Sequence, residues 1–534
     1  MAVVLAIAAV IWYADNIVTS IADGKIKEQL SKDSLRRISY DKLEVRLMQG
    51  AVNMYGINVC QSDSVAPTNK YPGMWISAES VELSGINWFS LKKKKLDIHS
   101  IEVNSLTFRQ TLPKNQPKKP TTQTDTAKIT AKITDYISRV EIDKFILNGA
   151  NIKYRDLSSK LSLTTDSLSV QLHDLAYNLT DSTFTIDDEH YMLHVGKTDL
   201  TAADGLMALA LNSLTTQDAG RLVLTGLHAY NTVPKEKLAD LKGKIPVTWV
   251  DARLKKIESS PINIITLIKN KNVDIEQIVV QGDKVHLCRD IRYKAKEPYT
   301  MPQQDLLAVT IPLSIKTIKV SVPHLETNMT TDGEHYGVIP IQKINATINN
   351  ICNKPDNELK SRFACELFGG KADMYLSYFN DKDYSFILGG SLTDVRGEAL
   401  EPFSRPMLGA TLQCRLHELK MDIKGNSIKS AGKLCMQYDS LQVHILKDES
   451  PLRMLAKNAG LINTFAPIVI QKSNPRAKGK EPVEYEVSAT RDCYNNIIGY
   501  FSQNIVDGVM HTVLGNMVYD MVKDSRDKNK KTKK

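Results

Sequence analysis

The residues best suited to acid-base or metal chemistry lie in the stretch DDEHYMLH. It gathers Asp187, Asp188, Glu189, His190 and His194, and carboxylates and imidazoles are common ligands of divalent metals. The stretch has the pattern of an acidic turn followed by a strand, in which residues 190 and 194 need not converge. The sequence also lacks the GxSxG, HExxH, Walker and strand-to-helix GxGxxG motifs. We therefore predict no enzyme activity, no metal site and no cofactor.

The composition is that of a folded protein with a mild positive charge. Of its 534 residues, 42% are hydrophobic and 24% charged, and the formal net charge is +9. The basic residues concentrate in LKKKKL at residues 91–96 and in KNKKTKK from Lys528. Neither run has interleaved aromatic residues or a nucleic-acid-binding motif, so nucleic acid is not a predicted partner. The runs are either solvated segments or contacts for anionic lipid headgroups.

The cysteines do not form a recognisable framework. The sequence has 7 of them, scattered along the chain without a CxxC pair. This spacing predicts neither a disulfide network nor a zinc site, and most of the thiols are expected to be buried as small hydrophobic groups.

A repeated apolar pattern is the stronger chemical signal, because apolar side chains can hold acyl chains. VEIDKFILNGANIKY from Val140 and VDIEQIVVQGDKVHL from Val273 align without a gap. Two further copies are LDIHSIEVNSLTF at residues 96–108, which we align with two residues fewer across its turn, and LSIKTIKVSVPHLET at residues 313–327. Each copy has an apolar residue, a step of three, a step of two, a polar turn and then alternating apolar residues. We interpret each copy as a bent hairpin.

Strands are the elements that must position these side chains. Alternation with a period of two indicates a strand with one buried face, and a step of three requires a bulge or bend. The same break occurs in LQCRLHELKMDI and LCMQYDSLQVHI. Residues 36–450 therefore predict a long antiparallel sheet of short strands, about five to eight residues each. The predicted helical exceptions are residues 23–35, TQDAGRLVLTGLHAY, PKEKLADLKGK and PINIITLIKN, and residues 112–128 are predicted to be a loop.

The N-terminus carries an uncharged apolar run, AVVLAIAAVIWYA, from Ala2 to Ala14. As a helix it would reach roughly 20 Å, short of the roughly 30 Å of a bilayer core. Either the span continues through Ile17 and Val18, or the run is the apolar part of an export signal. The predicted membrane-anchoring residues are Val3, Val4, Leu5, Ile7, Val10, Ile11 and Trp12.

The C-terminal segment predicts an amphipathic helix. Its apolar residues at helical spacing are Ile497, Ile498, Phe501, Ile505, Val509, Val513, Met517 and Met521. Gly499, Gly508 and Gly515 weaken or bend this helix, so it can consist of two shorter ones. It either caps the end of the sheet or docks on a membrane surface or a partner protein.

The order of these features resembles the AsmA-like proteins of Gram-negative envelopes, in particular those of Bacteroidetes type. An apolar anchor and a short helix lead into ISYDKLEVRLMQGAVNMYGINV and ISAESVELSGINWFSLKKKKLDIHSIEVNSLTF. GGSLTDVRGEALEPF, IKSAGKLCMQYDSLQVHIL and RDCYNNIIGYFSQNIVDGVMHTVLG resemble the far end of such proteins. The resemblance implies an inner-membrane anchor, a body in the periplasm, and an elongated β-groove related to bridge-like lipid-transfer proteins. It also implies a role in phospholipid traffic or outer-membrane homeostasis.

The predicted fold is therefore mainly β: an elongated, curved, groove-like antiparallel sheet with an N-terminal membrane helix and a C-terminal amphipathic helix. The predicted regions are a membrane anchor (1–22), an N-terminal β region (23–110), a linker (111–136), the repeated β region (137–450), a C-terminal β end (451–490), the amphipathic helix (491–523) and a basic tail (524–534). The residues predicted to contact acyl chains are Ile142, Phe145, Leu147, Ile152, Ile275, Ile278, Val280, Val285, Ile315, Ile318 and Val320.

Two functions of different classes fit this pattern. The first is the shielding or transfer of phospholipids between envelope membranes, with a phospholipid or other acyl lipid, the inner membrane and, through the C-terminal helix, outer-membrane or envelope proteins as partners. The second is a structural scaffold of the envelope whose sheet packs on itself. Periodicity alone cannot separate an open apolar face from a closed core, since both bury one side of each strand.

Overall fold

A computed structural model describes most of the chain. The described residues are 16, 18–24, 36–61, 73–114, 137–262, 271–446 and 470–532, with internal gaps at 180, 182, 188–189, 203, 218–219, 238–247, 293–294 and 296. They fall into two compact units, one within residues 1–228 and 260–270 and the other within 229–259 and 271–534. Both units are mainly β, as the alternating sequence pattern predicts.

The first unit contains most of the shorter strands, the last of which continues into the second unit after His228. These are β1 (Arg36–Ser39), β2 (Lys42–Arg46), β3 (Ala51–Gln61), β4 (Gly73–Ser84), β5 (Lys95–Asn104), β6 (Thr107–Leu112), β7 (Arg139–Asp156), β8 (Ser162–Asn178), β9 (Thr183–Thr185), β10 (Tyr191–Val195), β11 (Thr198–Thr201), β12 (Met207–Leu211), β13 (Ser213–Gln217) and β14 (Arg221–Asn231). Two 3-10 turns, η1 (Leu47–Gln49) and η2 (Trp88–Lys93), connect β2 to β3 and β4 to β5.

The second unit contains longer strands and the helices. Its strands are β15 (Thr248–Pro261), β16 (Val273–Asp290), β17 (Leu313–Thr330), β18 (Tyr336–Cys352), β19 (Glu358–Leu367), β20 (Gly370–Phe379), β21 (Phe386–Arg396), β22 (Ala410–Gly425), β23 (Lys429–Ile445) and β24 (Glu484–Thr490). Its helices are α1 (Pro302–Leu307), α2 (Glu401–Leu408) and α3 (Ile497–Thr532), with 3-10 turns η3 (Lys235–Lys237) and η4 (Gly397–Leu400).

The four copies of the sequence pattern form one parallel strand pair in each unit. In the first unit, β5 and β6 lie parallel to β7, with Ile98 opposite Ile142. In the second unit, β16 lies parallel to β17, with Ile275 opposite Ile315. Each pair is flanked by antiparallel neighbours, β4 and β8 in the first unit and β15 and β18 in the second. The repeat is therefore a four-strand module, and each copy resembles the strand that lies beside it.

This pairing corrects two expectations about the copies. We predicted bent hairpins, but β7, β16 and β17 each continue as one strand through the predicted turn. We also aligned the first copy with a two-residue deletion, whereas Phe108 pairs with Ile152 at the same sequence offset as Ile98 with Ile142. The prediction of an antiparallel sheet is therefore wrong at the parallel pairs. It holds for the other described strand pairs, which are antiparallel.

The steps of three coincide with interruptions of the strand ladders. Between Ile142 and Phe145 the β7–β8 ladder omits Asp143 and the facing Asp174, whose φ is +48°. Between Ile315 and Ile318 the β17–β18 ladder omits Lys316 and the facing Asn350, whose φ is +59°. A residue with positive φ interrupts the regular alternation of a strand. The prediction that a bulge or bend absorbs each step is confirmed.

Helix α3 packs on one face of the last strands and closes a hydrophobic core. Tyr500 is 0% exposed and lies in a cluster with Phe386, Ile423 and Val487. Gly508 allows this close approach, since a Cβ there would lie 2.8 Å from side-chain atoms of Leu434 and of Val487. The prediction that the helix covers the end of the sheet is confirmed. The predicted break at Gly515 is also present, with φ 69° and ψ 165° inside the helix.

The parallel pair of the second unit contributes a further cover to the same core. Because β16 and β17 are parallel, the chain between them must return to the end from which β16 starts. This return segment, residues 291–312, carries α1 and places Met301 in the cluster at 0% exposure. It is also tied to the start of α3, since Tyr299 N donates to Cys493 O at 2.7 Å. The core of the second unit is therefore assembled from segments distant in sequence.

Side chains from helices cap an outer strand in each unit. Among the described strands, β2 pairs only with β3. Its Val45 N donates at 2.9 Å to Oγ1 of Thr19, which belongs to the helical residues 18–24. Among the same strands, β24 pairs only with β23, and Ser488 N donates to Asp507 Oδ2 of α3 at 3.3 Å. Both contacts satisfy an outward-facing amide of an edge strand.

Other predicted elements fare differently. TQDAGRLVLTGLHAY, predicted as a helix, instead forms the end of β13 and most of β14, with Gly220 at φ +82° in the turn between them. Only η3 is described in the predicted helix PKEKLADLKGK. The predicted helix at residues 23–35 and the one in PINIITLIKN lie mostly outside the described residues, as does most of the predicted loop 112–128. Several strands are much longer than predicted, with β7 reaching 18 residues.

Candidate functional site

Two rows of apolar side chains cross the strands of the first unit. Residues directly opposite each other on paired strands share a face of the sheet, so the register identifies each row. The first row contains Val52, Leu83, Ile101, Phe145, Leu172 and Tyr191, and the second contains Met54, Val81, Val103, Leu147, Val170 and Leu193. Every one of these residues is half-buried, and none is fully buried. The rows therefore form a continuous apolar face that the described residues leave partly uncovered.

The opposite face of the same strands is polar. Asn148 Nδ2 donates to Glu102 Oε1 at 2.8 Å and to Asn104 Oδ1 at 2.9 Å. Asn104 Nδ2 donates to Ser80 Oγ at 3.1 Å, and Ser80 Oγ donates to Glu82 Oε1 at 2.8 Å. This network spans β4, β5 and β7, so the sheet here is amphipathic. Only its apolar face needs a non-aqueous neighbour.

Two equivalent rows cross the whole second unit from β15 to β24. One contains Ile257, Val280, Val320, Ala346, Phe363, Met374, Gly390, Met421, Leu434 and Tyr485; the other contains Ser259, Ile278, Ile318, Ile348, Ser361, Leu376, Leu388, Ile423, Gly432 and Val487. Glycine and serine replace some apolar residues, but the direction of each row is unbroken.

Burial changes along these two rows. Under α3, Ile423 is 0% exposed, Leu434 1% and Val487 2%. On β16 to β18 the members of the same rows, among them Ile278 and Ile348, are only half-buried. Strand pairing is continuous across this change, so the difference comes from the cover. The apolar face on β16 to β19 is the second candidate site.

The structure places each residue predicted to contact acyl chains either in an apolar row or beyond it on the same strands, opposite another apolar residue. Phe145 and Leu147 belong to the rows of the first unit, and Ile278, Val280, Ile318 and Val320 to those of the second. The others extend the faces along the strands: Ile142 pairs with Ile98, Ile152 with Phe108, Ile275 with Ile315, and Val285 with Leu325. Ile275 is 8% exposed and all the others are half-buried. The two sets lie in different units and form two faces.

Sequence reasoning missed the partners of these residues on β3, β4, β8 and β10. In β3 the same step of three separates Met54 from Ile57 in AVNMYGINV, with Gly56 at φ +62° between them. The ladder to β4 omits this glycine. A search for a glycine or asparagine inside a step of three would have identified this strand as a further member of the apolar face.

The acidic stretch does not assemble a metal or catalytic site among the described residues. His190 Nδ1 lies 2.8 Å from Asp187 Oδ2 on an exposed turn, whereas His194 lies within β10. In the described part of the chain, no group of three or more His, Cys, Asp or Glu side chains could hold a metal ion. Residues Asp188 and Glu189 lie outside it.

The thiols are unpaired, and burial makes four of them poor nucleophiles. All of the cysteines are free. Burial raises the pKa of the Cys365, Cys414 and Cys435 thiols, and it raises that of Cys288 to about 11. A thiol that stays protonated at neutral pH is a poor nucleophile and metal ligand.

A separate cavity of about 990 Å³ lies beside α3 at the edge of the sheet. Its lining includes Lys424, Lys429, Gln503 and Asp507. Charged and amide groups of this kind suit water or a polar ligand better than an acyl chain. The cavity therefore differs in chemistry from the apolar rows.

The part of the chain that the structure describes includes no helix that is both long and apolar enough to cross a membrane. The predicted anchoring residues Val3 to Trp12 lie outside that part. Met517 and Met521 were predicted on the apolar side of the C-terminal helix. Both fall within α3, but the structure does not describe their side chains. Ile498, predicted on that side too, is instead 66% exposed.

No protein-family model matches the sequence. No curated protein matches it either. The function must therefore be argued from the apolar faces themselves.

Proposed function

We propose that this protein shields the acyl chains of phospholipids on its half-buried apolar rows and so carries phospholipids between membranes. The observation that carries the proposal is the change of burial along Ile278, Ile348, Leu388 and Ile423 in one cross-strand row. The row is sealed where α3 covers it and half-buried on β16 to β18, where the described cover is α2, packed against Gly337 at the start of β18. An acyl chain is a suitable cover for the half-exposed part.

The energetics favour a continuous path over a reactive group. Burying a methylene from water is worth about 0.8 kcal/mol, so roughly 24 kcal/mol opposes exposure of a lipid with about 30 methylenes. A carrier must therefore keep the acyl chains against apolar surface at every step. Neighbouring strands lie about 4.8 Å apart, so a row provides a new apolar contact at that interval. Charged headgroups would remain in water beside the polar parts of the sheet.

The resemblance to AsmA-like proteins supports the cellular setting of the proposal. In that setting the apolar N-terminal segment anchors the protein in the inner membrane, and the β body lies in the periplasm. Lipid movement toward the outer membrane would then support outer-membrane homeostasis. No catalytic residue, metal or cofactor is required, because the driving interaction is apolar contact.

The proposal is tested by identifying lipids that copurify with the protein. A version beginning at Asn16 retains the contact between Thr19 and Val45 and can be purified without detergent. We expect phospholipid in stoichiometric amounts when the extracted lipids are measured by mass spectrometry. Replacing Leu147→Asp together with Val280→Asp puts a charge in one row of each unit and should remove most of this lipid.

A matched control places the same charge on the other face of the strands. Met192 lies between two row residues of β10 and is 63% exposed, and Ser321 lies between Val320 and Val322 on β17 and is also exposed. Met192→Asp with Ser321→Asp should retain the lipid. Circular dichroism and gel filtration would show that both double variants fold.

The scaffold function remains the competing candidate, and the covered core under α3 is the feature that favours it. A protein that is folded, monodisperse and free of lipid would reject lipid carriage and support the scaffold. Unfolding of the Leu147→Asp, Val280→Asp variant, with the control variant folded, would show that both rows are closed cores and would reject lipid carriage as well.

A further inference from the structure

Two interlocked turns at one end of the first unit present apolar side chains to solvent. Trp88 Nε1 of η2 donates to Leu47 O of η1 at 3.0 Å. Beside it, Ile86 N donates to Gly50 O at 2.7 Å. These bonds join the β2–β3 and β4–β5 connections into one structure, which we call the tip.

The tip is held firmly, and its outward side chains are apolar. Ser90 is 7% exposed and donates through Oγ to Lys95 O at 2.8 Å. Gly50 lies so close to Ile86 that a Cβ would come within 2.4 Å of Ile86 O. In contrast, Phe89 is 80% exposed and Met48 is 75% exposed. A fixed backbone that presents two large apolar side chains resembles a docking surface more than a solvated loop.

Three lysines lie at the end of η2 and just beyond it. Lys92, Lys93 and Lys94 are exposed and, among the described residues, make no ion pair. The next residue behaves differently, because Lys95 Nζ lies 2.6 Å from Glu141 and 3.1 Å from Asp97. The tip therefore combines exposed apolar groups with three lysines that have no ion-pair partner among the residues the structure describes.

The first described helix begins at the same end of the first unit as the tip. Thr19 contacts Val45, which lies just before η1, whereas Tyr40 at the other end of β2 donates to Asp23 Oδ1 at 2.6 Å. The helical residues 18–24 therefore run away from the tip. Asn16, which follows the uncharged run from Ala2 to Ala14 in the sequence, therefore lies on the tip side.

We infer that the tip docks on the surface of a bilayer that contains anionic lipid. Phe89 and Met48 enter the boundary between headgroups and acyl chains, and the three lysines lie at the lipid phosphates. Apolar side chains beside a basic cluster bind such a surface through both burial and charge. This surface is distinct from the apolar rows and does not depend on their proposed function.

The test is photo-crosslinking from the tip of the full chain. The photoreactive residue p-benzoylphenylalanine replaces Phe89, or, as a control, replaces Leu157 in the turn at the opposite end of β7. Leu157 is also exposed, at 37%. The proteins are reconstituted into vesicles of equal parts phosphatidylglycerol and phosphatidylcholine, or of phosphatidylcholine alone. We expect lipid adducts from position 89 at a yield at least tenfold above position 157, and fewer adducts in the neutral vesicles.

A second variant tests the role of the lysines without disturbing the turn. Lys92→Gln, Lys93→Gln and Lys94→Asn remove the charges, and asparagine suits the φ of +54° at Lys94. We expect the yield from position 89 in anionic vesicles to fall about tenfold or more, because each lysine near such a surface strengthens binding roughly fivefold.

Three results would overturn the inference. The first is equal lipid labelling from positions 89 and 157. The second is adducts from position 89 to a second protein chain, which would make the tip an interface between copies. The third is a yield from position 89 that neither the neutral lipid nor the lysine variant changes, which would remove the anionic surface as the partner. The labelling from position 89 does not depend on whether phospholipid copurifies with the protein, so failure here is separable from failure of lipid carriage.

Discussion

The two ends of the second unit are built from similar strands but differ in what packs on them. On β21 to β24 the apolar rows lie beneath α3, where Phe386 is 1% exposed and Ile423 0%. On β16 to β18 the same rows remain half-buried at Ile278 and Val320. The strands of both ends are long, paired in register and apolar at corresponding positions. The comparison teaches that the sheet supplies an apolar face, and that the element packed upon it decides whether this face becomes a core.

The cover over one end is built from two segments of the chain. Helix α3 supplies Tyr500 and Phe501, whose rings lie 5.8 Å and 5.0 Å from that of Phe386. The return segment between β16 and β17 adds Met301. Together they cover the apolar rows on β21 to β24, as we propose that acyl chains do on β16 to β19.

The largest difference between the two ends should come from a charge placed in one row. Ile423→Asp buries a carboxylate without a partner, and we expect it to lower the free energy of unfolding by about 4 kcal/mol or more. Ile278→Asp, in the same row, keeps its carboxylate near solvent and should cost only about 1 kcal/mol. Urea unfolding of the two variants measures this contrast. Equal losses would show that β16 is as closed as β22 and would remove the distinction between the ends.

A smaller effect should follow from crowding the covered end. Gly508→Ala pushes α3 away from Leu434 and Val487, at an expected cost of about 1–3 kcal/mol. Gly499→Ala is the matched control in the same helix, since its Cβ would meet atoms only at 3.5 Å. There the better helix propensity of alanine should stabilise by up to about 1 kcal/mol. Thermal unfolding of both variants provides the measurement, and a neutral Gly508→Ala would argue against a tightly seated helix.

The smallest effect concerns pH at the uncovered end. Burial lowers the pKa of His286 on β16, Lys235 and Lys284 lower it further, and Glu326 and Asp251 oppose them. The unfolded chain therefore binds this proton more readily than the folded one. Stability should be full at neutral pH and fall as the pH drops through the ordinary histidine range, near about 6.5.

Replacement of this histidine tests the assignment. His286→Gln keeps a polar group near Asn328, which lies 3.0 Å from His286 Nε2, but cannot be protonated in this range. The variant should lose less stability than the wild type between pH 7 and pH 5 in urea unfolding. An unchanged pH dependence would assign the effect to other groups.

Local sequence pattern predicted the class of fold and a part of each apolar face. Residues such as Phe145 and Val280 could be found because alternation with a step of three survives in a single strand. A weak point in α3 was predicted for a similarly local reason, since glycine weakens a helix. The same reasoning named Gly499, Gly508 and Gly515, and α3 breaks at Gly515. These signals need no knowledge of the neighbouring strands.

The remainder depends on contacts between distant residues. The parallel arrangement of β16 and β17 follows from the path of residues 291–312, and no residue in either strand encodes it. TQDAGRLVLTGLHAY was predicted as a helix because its apolar residues suit either period, and strand pairing between Leu224 and Leu214 decided the outcome. The exposure of Ile278 relative to Ile423 depends on where α3 docks, which periodicity does not contain.

The capped edge strands bear on how the protein behaves when crowded. An open sheet with long apolar strands has the properties that favour fibre growth, in which one molecule adds its edge to the next. The hydroxyl of Thr19 and the carboxylate of Asp507 occupy amides at which such addition would begin. A carboxylate at the edge also repels an incoming carbonyl. Both helices that supply these groups thus protect an edge strand from pairing with another molecule, and α3 does so while it also covers one face of the sheet.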